Sequence, residues 1–428
     1  MILSIISKVF EKHIAVQIQE YFDKTDVLHR MQSGFRPYHS CQTALIHLID
    51  TWLNDIDSGK YVGTVFLDLR KAFDLVDHEI LLHKLRLYNF SSKALKLFTS
   101  YLSNRTQVIK NGDQSSSTQE IRSGVPQGSI LGPLLFLLYI NDVTLEVTSS
   151  NIDLYADDST LYTSDFSVDT VQSKLQKDID KITTWCKLNN MSLHPDKTTC
   201  MILCTKRKLS NNNLHLNLTI NNLKIQNVKV QKILGVYVDN SLTWNIHISK
   251  VCSKVNSSFA LLRRISGFLT DEMKRMFYNA YILSIMDYCC IVWGTNKKAM
   301  DSMKKLQVRV GRLIKRSNNY TRSASLLKDL QWLSFENRCK YHTAVLIYKT
   351  QHNMSPRYIY DLLNFSSNSV YSLRSISNND ITTPKQRTNF MKKSFKSTSV
   401  HVWNNIPFSI KSCTSLCSFK YHLKNHYL

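Results

Sequence analysis

The chain has 428 residues, 43% apolar and 20% charged, with 11 Gly and 7 Pro, a composition that excludes collagen-like, linker-like and wholly disordered chains. Single cores seldom grow beyond roughly 250–300 residues, so two or three domains are expected. The net charge of +23 is uneven: residues 1–240 hold 26 basic and 24 acidic, residues 241–428 hold 29 and 8, and the window 121–180 holds 3 and 9. A cationic half beside a carboxylate-rich pocket suits a protein that tracks a polyanion and needs metal ions, whereas a membrane-surface protein has no use for the second feature. The ten cysteines have no regular spacing and read as reduced intracellular thiols. The opening MILSIISKVF lacks a basic n-region and a small-residue cleavage site, so it is not a secretory signal. The longest apolar run, Ile130 to Ile140, is about half of a membrane span and contains Gly132 and Pro133.

In chain order, Ile5, Ile6, Val9, Phe10 and Ile14 recur at helical spacing, so the chain begins inside a helix that is expected to pack on an upstream partner. Residues 62–69 (VGTVFLDL) form a β-branched and aromatic strand, followed by a helical pattern through Ile80, Leu81 and Leu85 to Tyr101. Residues 124–133 are a Gly/Pro turn leading into an apolar helix. Residues 152–163 are two apolar runs around an acidic tip, a hairpin, and 168–188 are an amphipathic helix through Val171, Leu175, Ile179, Ile182 and Trp185. Alternation from Leu214 to Asp239, with Asn221-Asn222 as a turn, predicts a second small sheet. Beyond 240 the pattern is helical and basic over 250–267, 271–293, 298–316 and 325–350. Residues 364–400, rich in Ser and Asn, read as loop before a short helix near 416–426.

Two acidic features carry the chemistry. Strand alternation sets Thr64, Phe66 and Asp68 on one face and Val65, Leu67 and Leu69 on the other, so Asp68 is a carboxylate in an apolar strand. Such a group is exposed at the strand end, paired with a cation, or neutralised by a metal. Tyr155-Ala156-Asp157-Asp158 puts two adjacent carboxylates at the hairpin tip. Their repulsion is relieved when divalent cations sit between them, and two oxygen-ligated Mg²⁺ ions are a known device for phosphoryl transfer. Asp-Asp is also an ordinary surface turn, so that reading stays open.

The order of further blocks adds to this. QSGFRP (32–37), FLDLRKAFD (66–74), SGVPQGSILGP (123–133), YADD (155–158), LHPDKT (193–198) and ILGVYVD (233–239) resemble the successive blocks of reverse transcriptases of metazoan non-LTR retrotransposons, of the jockey or LINE kind. The likeness covers about residues 1–240. YCCIVWG (288–294), LQWLSFENR (330–338) and VWNNIP (402–407) are similar to the C-terminal region of the same elements.

The resemblance implies an α+β, right-hand polymerase: fingers and palm over 1–239, a helical thumb over 240–317 and a basic, mainly helical C-terminal region over 318–428. It makes Asp68 and Asp157 the main metal ligands, Asp158 the third carboxylate, and the Leu69 carbonyl a further ligand, for two Mg²⁺ ions or Mn²⁺ in their place. Phe73, five residues after Asp68 and set by a helix start, would be the ring that excludes a 2′-OH, or else core. Gln127 would contact incoming nucleotide and template, or be a turn residue. Arg36 would grip the triphosphate, or be a surface arginine. Lys197 would protonate the leaving pyrophosphate, or be a solvated lysine. The ILGVYVD strand would position the primer end.

The implied activity is RNA-directed DNA synthesis, nucleotidyl transfer from a dNTP to a primer 3′-OH. Its partners are template RNA, primer DNA and dNTPs, with no membrane, and it is expected in the nucleus after a cytoplasmic ribonucleoprotein stage. The chain starts within the first fingers block (SKVFEK, 7–12), so upstream fingers strands and an endonuclease are expected to be absent. The rival reading is a truncated or domesticated polymerase-fold protein that binds RNA or DNA without catalysis. RNA synthesis on RNA is a lesser rival, against which Phe73 and YADD both speak.

No zinc is expected. Cys413, Cys417, His422 and His426 have a zinc-like spacing, but on one continuous helix the two cysteines and the two histidines fall on opposite faces. Lys305, Arg309, Arg312 and Arg316, spaced by three and four, lie along one helix face. With Arg263, Arg264, Lys304 and Lys315 they are expected to form a phosphate-contacting track.

Overall fold

The computed structural model describes residues 4–211, 214–317, 320–363, 365, 380–388 and 390–428. The fold is α+β, and packing divides it into two compact units, neither continuous in sequence. The first comprises residues 1–37, 61–202 and 212–228. The second comprises 38–60, 203–211 and 229–428.

The first unit is organised by the β-branched run after residue 60. It forms β1 (Tyr61–Leu67), and Asn151–Tyr155, Asp158–Asp165, Thr199–Leu203 and Gln226–Asn227 follow as β2 to β5. The sheet order is β5-β4-β1-β3-β2. Val62 to Leu67 are all buried, so β1 is covered on both faces and reads as a continuous apolar run. Its buried hydroxyl, on Thr64, donates to the Met201 carbonyl at 3.0 Å. The helix Val168–Leu188 packs on β1 at Gly63, where a Cβ would collide with Val171 and Leu175. The helix Leu131–Ile140 has no polar face and is almost entirely buried. Pro133 lies in its first turn, where its missing N–H costs nothing.

The second unit is mainly helical, and two buried carboxylates tie distant segments into it. Asp50, on the helix Cys41–Asp57, accepts from the Phe395 and Lys396 amides, each at 2.7 Å, and so caps the helix Phe395–Asn404. Asp57 accepts from the Arg387 and Thr388 amides at 3.0 and 2.8 Å.

Several expectations need correction. The helix through Ile80 to Tyr101 is two, His78–Leu87 and Ser92–Leu102, with Asn89 at φ +61° between them. The segment 214–239 is not one small sheet: Gln226–Asn227 joins the main sheet, and two separate ribbons, Thr219–Ile220 with Leu223–Lys224 and Val230–Ile233 with Val236–Asp239, turn at 221–222 and 234–235. The segment 271–293 is broken at Tyr288 and Cys289 (φ +50°), and 325–350 is broken around Leu330–Ser334. Within the 364–400 loop, residues 364, 366–379 and 389 lie outside the described residues, and 395–404 is helix. Ser394 caps that helix, a signal hidden in the serine-rich composition. Of the first helix, Ile5–Thr25, Ile14, Ala15, Ile18 and Phe22 are buried, while Ile5, Ile6, Val9 and Phe10 are exposed.

Candidate active site

The site forms where three segments of the first unit end together. The antiparallel register of β1 and β3 closes with Leu67 opposite Ser159, and one further step sets Asp68 level with Asp158. In the β2–β3 hairpin Tyr155 pairs with Asp158, leaving Ala156 and Asp157 as a two-residue loop. Ala156 holds φ +57°. Partial burial, then the charges of Asp157 and Asp68, raise the Asp158 carboxyl above the usual carboxylate range, so both of its neighbours repel it at the tip. A donor set of three carboxylates, one of them repelled by the other two, fits hard divalent cations, which would relieve that repulsion.

Asp68 is anchored by the segment before β4. Its amide donates to Thr198 Oγ1 at 3.3 Å, and its carbonyl accepts from the His194 amide at 2.8 Å. Lys197, 66% exposed, brings Nζ to 3.9 Å from Asp68 Oδ2. Leu69 bridges Leu193, and the flanking bonds run from His194 to Asp68 and from Arg70 to Ser192. The Leu69 carbonyl therefore lies outside that ladder.

Phe73 is half-buried, stacked on Phe136 at 4.3 Å and edge-on to Phe35 at 6.2 Å. Its position is not set by a helix start: residues 70–74 are turns, with Lys71 at φ +42°, and the helix begins only at His78, behind the Asp77 cap. The Phe73 carbonyl accepts from Val125 N at 2.9 Å, and Gln127 Nε2 donates to Asp74 Oδ1 at 2.9 Å, so the 123–133 loop is laced to the segment after Asp68. Gly124 permits this contact: its φ is +88°, and a Cβ would lie 2.9 Å from the Asp74 carbonyl. Arg36 Nη1 donates to the carbonyls of His29 and Gln32, both at 3.2 Å.

Sequence reasoning passed over two residues that hold this region. Glu11, buried, accepts from the Ile130 and Leu131 amides at 2.6 and 3.3 Å at the start of the apolar helix. Gln32, also buried, accepts from the Ala156 amide at 3.1 Å. Gln32 opens the QSGFRP block, where Ser33, Gly34 and Arg36 are polar or small as well, so its residue type alone did not single it out.

The Cys/His series at the C-terminus is arranged differently from the single helix assumed in the sequence reading. Cys413 precedes the helix Leu416–Tyr427, which carries only Cys417, His422 and His426. Among the described residues, the ligand types that gather within 4.8 Å are instead Asp287, Cys290 and His342. Both Asp287 oxygens already accept from Arg338, and the contact from His342 together with the Arg338 pair holds the carboxyl below the usual range despite burial. On the basic helix Lys297–Lys315, with Arg316 as its C-cap, Lys305 is exposed. Arg309 sits 5.0 Å over the Phe259 ring and Arg312 is half-buried.

Residues 1–238 match the family model described as reverse transcriptase (RNA-dependent DNA polymerase). The chain belongs to the reverse transcriptase family. A Drosophila melanogaster protein named "Probable RNA-directed DNA polymerase from transposon BS" is 27% identical over 356 residues, covering 80% of this chain and 39% of that protein. The RNA-directed DNA polymerase from mobile element jockey of the same species is 25% identical, covering 77% and 37%. The reverse transcriptase chain thus spans about two fifths of the length of these relatives. Among solved structures, apo telomerase from Candida tropicalis aligns with a TM-score of 0.43 at 12% identity, covering 75% of this chain and 51% of that one. No helix among the described residues is long and apolar enough to cross a membrane.

Proposed function

We propose that this chain is the polymerase core of a non-LTR retrotransposon protein, extending a DNA primer on an RNA template with dNTPs. The observation that carries the reading is the meeting of Asp68 with Asp157 and Asp158, about ninety residues apart in sequence, at one end of a buried sheet. Asp68 and Asp157 would hold two Mg²⁺ ions, with Asp158 and the Leu69 carbonyl as further oxygen donors. When bound, such a pair of ions activates a 3′-OH and stabilises the leaving pyrophosphate.

The chain's own groups supply the rest. Lys197, whose Nζ lies 3.9 Å from Asp68, would donate a proton to the leaving group. Phe73, braced by Phe136, offers a fixed ring against which a ribose 2′-OH would clash. Gln127 lies on the same loop system and would meet the nucleotide and template. Arg36, whose Nη1 donates to two loop carbonyls, would grip the triphosphate. In right-hand terms, 1–239 would be fingers and palm, 240–317 thumb, and 318–428 a basic C-terminal region, working in the nucleus on primer DNA.

The test is extension of a DNA primer on an RNA template by the purified chain with Mg²⁺, against an Asp157→Asn control. Mg²⁺-dependent, Asp157-dependent extension supports the reading. Tight template–primer binding with no extension would overturn it in favour of a non-catalytic nucleic-acid-binding remnant.

A further inference from the structure

We infer that Gln32 is a positioning residue for the catalytic carboxylates: its side-chain carbonyl sets the backbone of the tip turn that carries Asp157 and Asp158. The inference rests on the polymerase reading for its kinetic consequence, and on geometry alone for the contact itself.

Residues 31–33 run alongside β2. Gln32 bridges Leu154 in parallel, the Ser33 amide donates to the Leu154 carbonyl at 2.8 Å, and the Leu154 amide donates to the Met31 carbonyl at 3.1 Å. From this seat Gln32 Oε1 accepts two backbone bonds, from Gly34 N at 2.9 Å and Ala156 N at 3.1 Å. Two N–H groups facing one atom fix the assignment of oxygen and nitrogen in the amide.

The side chain is fully buried, and its Nε2 has no hydrogen-bond partner among the described residues. Its donor end contributes no bond, so the acceptor end keeps it in place. Gly34 then lets the two segments touch, since a Cβ there would collide with the Ala156 backbone. Arg36 closes the other side of the same loop by donating to the Gln32 carbonyl at 3.2 Å.

The bond falls on the residue that needs it. Ala156 holds φ +57° with a Cβ, a conformation that alanine does not favour by itself. An acceptor fixed opposite its N–H orients the peptide from which Asp157 projects. Gln32 itself touches neither substrate nor the carboxylates. Removing its acceptor is therefore expected to reduce turnover more than binding, on the scale of about 10- to 100-fold seen when a group that orients ligands is lost.

The experiment compares parent, Gln32→Met and the double variant Gln32→Met/Ala156→Gly. Methionine keeps length and burial but offers no such acceptor, and glycine adopts positive φ without strain. Gln32→Met should lower kcat about 10- to 100-fold, with primer–template Kd within about threefold of the parent and a raised Mg²⁺ requirement. The double variant should recover part of the kcat. Hydrogen exchange at the Ala156 amide should accelerate in Gln32→Met, a readout that needs no activity. Unchanged exchange at Ala156, parental kcat, or losses of kcat and binding in equal measure without recovery by Ala156→Gly would each overturn the inference. An inactive parent whose Ala156 exchange still accelerates in Gln32→Met would overturn the polymerase reading and leave the contact standing.

Discussion

Two hairpins of the first unit turn on two residues each, and they reach positive φ by different routes. The ribbon Thr219–Ile220 with Leu223–Lys224 turns through Asn221 (φ +50°) and Asn222 (φ +65°). Asparagine tolerates that region because its short side chain can bond locally, so the turn is specified by its own residues. The β2–β3 hairpin turns through Ala156 (φ +57°) and Asp157. Alanine has no such tolerance, and the turn is held from outside by Gln32 Oε1 and by the close approach of Gly34. Strain of this kind persists where the surroundings over-determine it, and the over-determined turn is the one bearing the carboxylates.

The comparison can be broken at several points. The largest effect is expected from Asp157→Ala, which should reduce primer extension about 10³-fold or more, the scale of losing a group that acts in the transition state. Asn221→Ala should leave extension at parental rates. Near-normal extension by Asp157→Ala would remove the functional side of the contrast.

Next in size is Gly34→Ala. The added Cβ has no room against Ala156, so the variant should lose about 1–3 kcal/mol in urea unfolding, as overpacked sites do, and most of its extension activity. Asn222→Ala should cost about 1–2 kcal/mol from the left-handed alanine alone, with extension unchanged. Equal effects of both variants on activity would show that the two turns are held alike.

A pH series sharpens the electrostatic side. The Asp158 carboxyl is raised by burial and by Asp157 and Asp68, so the folded chain holds that proton more tightly than the unfolded chain. Without metal, this group's cost to stability is therefore relieved as the pH falls through its raised value. Protons and Mg²⁺ compete for the same oxygens, so half-maximal extension should need more Mg²⁺ as the pH is lowered toward the carboxylate range. Asp158→Asn should flatten that dependence. A Mg²⁺ requirement that is independent of pH in the parent would refute it. The smallest effect is expected from Ala156→Gly alone, a stabilisation of no more than about 1 kcal/mol where the relief of positive φ exceeds the entropy that glycine adds.

Periodicity located what it can locate. The amphipathic helix Val168–Leu188 stands where the 3.6-residue pattern sets it, because its apolar positions face one core, and the strand Tyr61–Leu67 was legible as a β-branched and aromatic run that is buried on both faces. The acidic hairpin was legible from two apolar runs around Asp157-Asp158. The segment after Asp68 was not: Leu69 to Val76 is apolar enough for a helix, yet beside two local turn bonds to the Lys71 carbonyl its backbone bonds with Ser192, Val125 and Gly124, partners more than forty residues away. Gln127 was singled out by its block, whereas its bond to Asp74 left no mark in the sequence.

The sequence by itself determined that 121–180 is acidic and 241–428 cationic, that Asp68 ends an apolar strand, and that Asp157 and Asp158 share a tip. These are local properties of composition and spacing. Only the tertiary structure decided that the register of β1 on β3 brings Asp68 level with Asp158, that Lys197 stands beside it, and that Gln32 holds Ala156 in place. Those contacts depend on which distant segments pair across the sheet. A side-chain acceptor meeting a backbone donor 124 residues away leaves no periodic trace in either segment.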